Sequence, residues 1–223
     1  MTSPGRIVLG RDPEWGPSAE KALEGFPLLP IPPQTAPPPG EGLWVAGVTA
    51  WAAAGEDWEP AGRLPLAREP GEGPWIAAPG EIRRGAFRKA PLAVPHPWST
   101  GAMAAFLALG RGESLAVEKE QERLLAVREG RSAAALLPGR PSLPQGWWSL
   151  DLAAWWKETS LTPLVLGLLW KRPGTPLPAG LPPALPAHRE AIRQLLEGAA
   201  ELGLVDSALA ERFTPAAWRK SAS

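Results

Sequence analysis

An α/β fold, a parallel sheet covered by helices on both faces, is what this 223-residue sequence predicts. Three observations carry that expectation. Short apolar runs alternate with helix-period segments from Pro91 to Trp170, glycine or proline punctuates their ends, and a hydrophobic share of 44% can fill one large domain or two small lobes. The 24 glycines and 29 prolines predict stiff, irregular connections between these elements.

Taken in order, Arg6 to Gly10 (RIVLG) reads as a strand. Pro17 to Glu24 reads as a helix, with proline in its first turn and Gly25 at its end. Phe26 to Ile31 is strand-like, and the prolines between Pro32 and Gly40 then forbid both helix and central strand, leaving an extended connector. Leu43 to Val48 resumes a strand, with Thr49 as the cap of a small-residue helix over Ala50 to Ala54. Gly73 to Ala78 is strand-like. Leu92 to Val94 is a strand, followed by the loop His96 to Gly101 and a helix marked by Met103, Phe106 and Leu107 that Gly110 ends. The scheme repeats with a strand at Ser114 to Val117, a helix at Gln121 to Glu129 stopped by Gly130, and a strand at Ala133 to Leu137. After the loop Pro138 to Gly146, Asp151 caps the helix starting at Leu152, and Pro163 to Trp170 is the longest apolar strand. A second proline-rich linker, Pro173 to Pro186, leads to a helix at Ala187 to Leu202. Ile192, Leu195, Leu196 and Ala199 share one of its faces, and a short helix follows Asp206.

Composition excludes several functions. Lys plus Arg equals Asp plus Glu at 23 each, so there is no basic field to gather phosphates and nucleic acid is not an expected partner. Without cysteine there is neither disulfide nor thiolate site, and His96 and His188 alone do not supply a metal's ligands. Neither GxxxxGK[ST] nor GxGxxG occurs, and no cofactor is expected; G-x-S-x-G is absent too. The amino terminus lacks a signal-peptide core and no run reaches the length of a membrane span, so a cytoplasmic protein is expected. Of the twelve tryptophans, Trp147, Trp148, Trp155 and Trp156 invite a stacking role but are assigned to the core, Trp155 and Trp156 lying in an amphipathic segment.

The most suggestive chemistry lies where strands meet helices. Ser99 and Thr100 offer hydroxyls, Gly101 lets backbone approach a ligand, and the free N–H groups of a first helical turn favour an anion. The plainer reading is that Ser99 is an N-cap. Thr49 stands at an equivalent junction, and two such junctions facing each other would each grip a carboxylate. His96 is a candidate proton donor, although a half-exposed loop histidine between Pro95 and Pro97 is the simpler assignment; His188 is assigned to the surface. Asp12 and Glu14 follow the first strand, where open α/β sheets bind ligands; the alternative is a solvated turn.

Several stretches together resemble a known family. Asp151 to Glu158 (DLAAWWKE) and Ser160 to Gly167 (SLTPLVLG) resemble a segment of the menaquinone-biosynthesis MqnA/MqnD family, the chorismate dehydratase and dihydroxynaphthoate synthase of the futalosine pathway. Gly71 to Ala78 and Leu92 to Pro95 resemble its hinge strand and the strand entering its second lobe. Trp98 to Gly101 falls on its ligand loop, and Leu43 to Thr49 on a first-lobe strand ending in a hydroxyl. The resemblance implies a type II periplasmic-binding-protein-like fold: lobe 1 from residues 1–76 and 166–223, lobe 2 from 77–165, joined by two crossover strands over a ligand cleft. It implies that Thr49, Ser99 and Thr100 hold substrate carboxylates; Gly101, His96 and Asp12 join the candidate ligand-binding residues from the reading of the residues alone. The chain also departs from the family. Where the naphthoate synthase has a catalytic histidine this chain reads Pro138-Gly139-Arg140-Pro141, the first-strand loop reads Arg11-Asp12-Pro13-Glu14-Trp15 in place of an Asn-containing one, and a proline-rich connector replaces a helix. The expected function is therefore binding of a small carboxylate, either with a chorismate-dehydratase-like carbon–oxygen lyase step or with catalysis lost. The alternative is a non-catalytic solute-binding or sensing protein.

Overall fold

The computed structural model describes residues 6–33, 36–50 and 57–207. Residues 51–54 of the helix expected after Thr49, and the stretch from 208 onward of the one expected after Asp206, lie outside them. In the first sheet β1 (Ile7–Gly10) is the central parallel strand, flanked by β2 (Leu28–Ile31) and β3 (Leu43–Gly47), with Ile7 facing both Leu28 and Leu43. The helix α1 (Gly16–Ala22) connects β1 to β2. On the far side of β3 runs β11 (Leu164–Lys171), antiparallel, with the short β4 (Glu59–Pro60) and β5 (Leu66–Arg68) paired to it.

The second sheet has the order β10-β6-β9-β7-β8. It comprises β6 (Trp75–Ala78), β7 (Leu92–Val94), β8 (Ser114–Ala116), β9 (Ala134–Leu137) and β10 (Trp148–Asp151). Its helices are α2 (Thr100–Leu109) after β7, α3 (Glu120–Arg128) after β8 and α4 (Leu152–Ser160) after β10. A long last helix, α5 (Pro186–Glu201), packs back on β11 and on α2. The chain passes between the sheets twice, once between β5 and β6 and once between α4 and β11. Two α/β lobes joined by two crossings make this a type II periplasmic-binding-protein-like fold.

Two expectations need correction. The sheets are mixed: only β2-β1-β3 and β8-β7-β9 are parallel, whereas β11 runs against β3, and β6 against β9 and β10. Strands carrying the chain between lobes arrive without a helical crossover, which suits antiparallel pairing. The lobe boundaries also shift. β6 belongs wholly to the second sheet, so Trp75 and Ile76 leave lobe 1, and β11 belongs to the first, so Leu164 and Val165 leave lobe 2. A strand's ladder of hydrogen bonds assigns it as a unit. The structure also adds β4, β5 and β10, which the sequence reading did not anticipate.

Two of the caps read from the sequence are present, whereas Thr49 is not a cap: the helix there begins at Val48, and the Thr49 hydroxyl donates to Trp98 O. Ser99 Oγ accepts from Ala102 N at 3.0 Å, and Asp151 Oδ1 accepts from Ala153 N and Ala154 N at 2.9 and 3.2 Å. One apolar cluster runs through both lobes, joining Val8, Trp44 and Leu166 to Met103, Ile76 and Leu92. Eight of the ten residues of α2 are buried, because this helix lies among β11, α4 and α5 rather than on a surface.

In α5 the apolar stripe is the buried face, with Leu196 fully enclosed. Leu196→Ala should lower stability by about 2–5 kcal/mol, through lost burial and the cavity left behind. On α3 the half-exposed Leu125 should tolerate alanine within about 0.5 kcal/mol. Urea midpoints of the two variants check this pair.

Candidate functional site

Each lobe has a parallel strand whose neighbours on either side are reached in opposite directions, β1 in one and β7 in the other. Ligands of open α/β sheets collect beyond the carboxyl ends of such strands. Beyond β1 the chain turns sharply: Gly16 N donates to Asp12 O at 2.6 Å, and Asp12 Oδ1 accepts from Glu14 N at 2.8 Å. The second contact is an Asx turn, and it sends both carboxyl groups inward. Beyond β7, Ser99 N donates to His96 O at 3.2 Å and Ser99 opens α2. Beyond β3, Thr49 lies in the first turn of a helix that begins at Val48.

These three ends meet. Ser99 Oγ donates to Glu14 Oε1, and Gly101 N donates to Glu14 Oε2 at 2.9 Å. Thr49 Oγ1 donates to Trp98 O and lies 3.2 Å from Thr100 Oγ1. His96 Nε2 is 2.9 Å from Asp12 Oδ2, with the side chains only 5% and 2% exposed. Two glycines permit this approach: a Cβ on Gly101 would sit 2.7 Å from Glu14 Oε1, and one on Gly47 would sit 2.8 Å from Thr100 Oγ1.

All six residues named from the sequence, Thr49, Ser99, Thr100, Gly101, His96 and Asp12, therefore lie along one seam between the lobes. The start of α2 is not vacant, however. The donors expected to face a ligand carboxylate hold Glu14 instead, and Thr49 is engaged by Trp98 and Thr100. Asp12 and Glu14 are buried rather than solvated, since the second lobe covers them while Pro13 between them stays exposed, and His96 is buried against the first lobe. His188, assigned to the surface, is partly buried, and its Nδ1 accepts from Leu185 N at 3.1 Å.

One pairing and one residue escape the sequence reading. Glu14 reads there with Asp12 as a pair of carboxylates at a strand's end, and nothing local says that Ser99, 85 positions away, meets it. Arg123 sits on a helix with solvated neighbours, yet it is 1% exposed. Its guanidinium donates to Leu136 O at 2.8 Å, Val117 O at 2.9 Å and Glu118 O at 2.6 Å, which fixes the ends of β8 and β9.

Burial, then the Asp12 charge, pushes the Glu14 carboxyl up to about 7, while the Ser99 donor, His96 and Gly101 N pull the other way. Near neutral pH Glu14 thus exchanges between acid and carboxylate.

Outside the turn opens a groove of about 990 Å³. Its walls carry Arg11, Asp12, Ile31, His96 and Lys119, with prolines from three loops. Among the described residues His96 Nδ1 has no hydrogen-bond partner. No group of three or more His, Asp or Glu side chains suited to a metal occurs among them, and no helix there is long and apolar enough to cross a membrane.

No family model matches the sequence, and no curated protein shows significant similarity to it. Solved structures do match. Protein AF1704 from Archaeoglobus fulgidus superposes with a TM-score of 0.54 at 19% identity, covering 96% of this chain and 83% of its own. The alkanesulfonate-binding protein SsuA from Xanthomonas axonopodis pv. citri, bound to MOPS, gives 0.40 at 13% identity over 96% and 84%. The GluR0 ligand-binding core from Nostoc punctiforme, in complex with L-glutamate, gives 0.43 at 15% over 94% and 99%. The Archaeoglobus likeness, at this identity, is one of fold alone.

The raised Glu14 carboxyl fixes the sign of a pH effect. Unfolded, the group titrates near 4.5; folded, it keeps its proton to about 7. Between these values the folded state binds more protons, so the Glu14 contribution is complete below pH 4.5 and is lost as pH rises through 7. The stability of the wild type relative to Glu14→Gln should therefore fall by a few kcal/mol from pH 4.5 to 7 and level off above. Urea unfolding of both proteins at half-unit pH steps measures the difference; a rise over that window contradicts the assignment.

Proposed function

We propose that this protein binds a small carboxylate in the groove beside the interlobe seam. One observation carries the reading. The groove lies beyond the carboxyl ends of β1 and β7, where this fold class collects ligands, and a buried imidazole with an unpartnered nitrogen lies in its wall. Arg11 contributes a cation from one lobe and Lys119 one from the other, in a wall that also carries Asp12, Glu20 and Glu118. The finer form of the reading is a chorismate-like acid undergoing carbon–oxygen elimination, supported by the resemblance of Asp151 to Gly167 and of Trp98 to Gly101 to the menaquinone-pathway family. In such a step the protein's work is to orient the acid and stabilise developing charge with fixed donors. The alternative, a binding or sensing protein without chemistry, is favoured by a specific observation: the donors of Ser99 and Gly101 are already engaged by Glu14.

A thermal-shift panel of chorismate and simple aromatic carboxylates tests binding. A ligand at a hundredfold excess over its dissociation constant stabilises the fold by about 2.7 kcal/mol, and its melting temperature should rise accordingly. Arg11→Ala and Lys119→Ala should each weaken that ligand roughly tenfold, equivalent to about 1.4 kcal/mol. Chromatography of chorismate incubated with the protein separates the two forms, since product marks the lyase and binding without product marks the sensor. No shift across the panel refutes the carboxylate reading.

A further inference from the structure

Each lobe brings charges of both signs to the groove wall, Arg11 and Glu20 from lobe 1, Glu118 and Lys119 from lobe 2. All of these are exposed. Asp12 stands apart, since it is buried and both its oxygens are bonded, Oδ1 to Glu14 N and Oδ2 to His96 Nε2. The cations already have acidic neighbours: Arg11 Nε lies 3.7 Å from Glu20 Oε1, and Lys119 Nζ lies 3.0 Å from Glu122 Oε1. The bond from Glu122 and then the charge of Glu118 hold the Lys119 ammonium above the usual lysine range. A guest that is only an anion draws both cations from these partners and is left beside Glu20, Glu118 and Glu122, a like-charge contact that costs affinity. A guest that also carries a cation escapes that penalty.

Glu118 is the acid best placed to receive such a cation. Its backbone is fixed, because Glu118 O accepts from Arg123 Nη1 at 2.6 Å, whereas among the described residues its carboxylate accepts no hydrogen bond. Lys119 follows it directly and lines the same groove, so lobe 2 presents a carboxylate and an ammonium side by side. An α-amino acid carries the complementary pair, its two charged groups joined to one carbon. The rest of the lining is largely apolar, Ile31 with prolines of three loops, and a volume of about 990 Å³ has room for a large side chain. We propose that the groove binds an α-amino acid with a bulky apolar side chain, its carboxylate between Arg11 and Lys119 and its ammonium on Glu118. This rests on the carboxylate reading above, favours its binding form over the lyase, and names the class of ligand.

The test compares leucine, phenylalanine and tryptophan, each with the acid that lacks its amine and the amine that lacks its carboxylate; for phenylalanine these are 3-phenylpropanoate and phenethylamine. Titration calorimetry of the wild type at neutral pH should show at least one amino acid binding about tenfold or more tighter than both of its relatives. Glu118→Gln should weaken that amino acid about tenfold and leave the deaminated acid within about twofold, while Arg11→Gln should weaken both. Glu118 is exposed, so the variant should fold, and an unchanged melting temperature reports that it has. An acid that binds as tightly as its amino acid overturns the proposal and keeps the carboxylate reading. An amine that does so overturns both. Selective amino-acid binding that Glu118→Gln leaves intact overturns the placement of the ammonium, and the proposal with it. If no amino acid binds, the proposal fails, and the aromatic panel decides the carboxylate reading by itself.

Discussion

A carboxyl group withdrawn from water at the junction of two lobes constrains everything around it. Burying an ionisable group without partners is expensive, so Glu14 requires donors, and the fold supplies them from the other lobe: Ser99 Oγ and Gly101 N. Each supporting feature follows from that demand. Position 101 has to be glycine to admit the oxygens, and Ser99 has to accept from Ala102 N while donating to Glu14. The Asx turn at Asp12 and the Arg68 clamp fix the backbone from which the side chain projects. The burial that makes these contacts strong also holds the group near neutrality, so the tie between the lobes depends on its protonation.

The seam is not a hinge between independent bodies. α2 is enclosed by elements of both lobes and a single apolar cluster continues through it. Drawing the lobes apart along their full contact would expose that helix to water, which the hydrophobic effect opposes in proportion to the apolar area uncovered. The polar contacts Glu14–Ser99, Asp12–His96 and Thr49–Trp98 instead lie beyond the carboxyl ends of the strands, beside the groove.

The sequence declared the fold more readily than the site. Gly110 and Gly130 close helices, Ser99 and Asp151 open them, and apolar runs such as Pro163 to Trp170 stand out as strands, because these signals are local. Pairing direction is not local. Nothing within Leu164 to Lys171 says that it runs against β3, and β4, two residues long, leaves no period to detect. The burial of Asp12, Glu14, His96 and Arg123 was hidden for a related reason. Polar side chains in loops and on helix faces are usually solvated; the facing lobe makes Asp12, Glu14 and His96 interior, and the ends of β8 and β9 in its own lobe enclose Arg123. The hydroxyls were legible as candidates because helix starts advertise their donors; that Glu14 already takes up those of Ser99 and Gly101 required the third dimension.

The proline-rich connector, which sequence alone shows only as stiff, is structural material for the groove. Pro30, Pro32 and Pro33 from the end of β2, Pro13 and Pro17 from the first turn, and Pro95 before His96 all form its wall. A proline's backbone is restricted before folding, so a wall built from it loses less conformational entropy and yields less to an incoming ligand. Shape at this site is therefore set by rigid residues and charge by long mobile ones. Arg11 is near the exposed Glu20, at 3.7 Å, and Lys119 is near Glu122, at 3.0 Å, and both cations are largely solvent-exposed. They come from different lobes, so an anion that draws both inward repeats in the groove the cross-lobe connection that Glu14 makes in the seam.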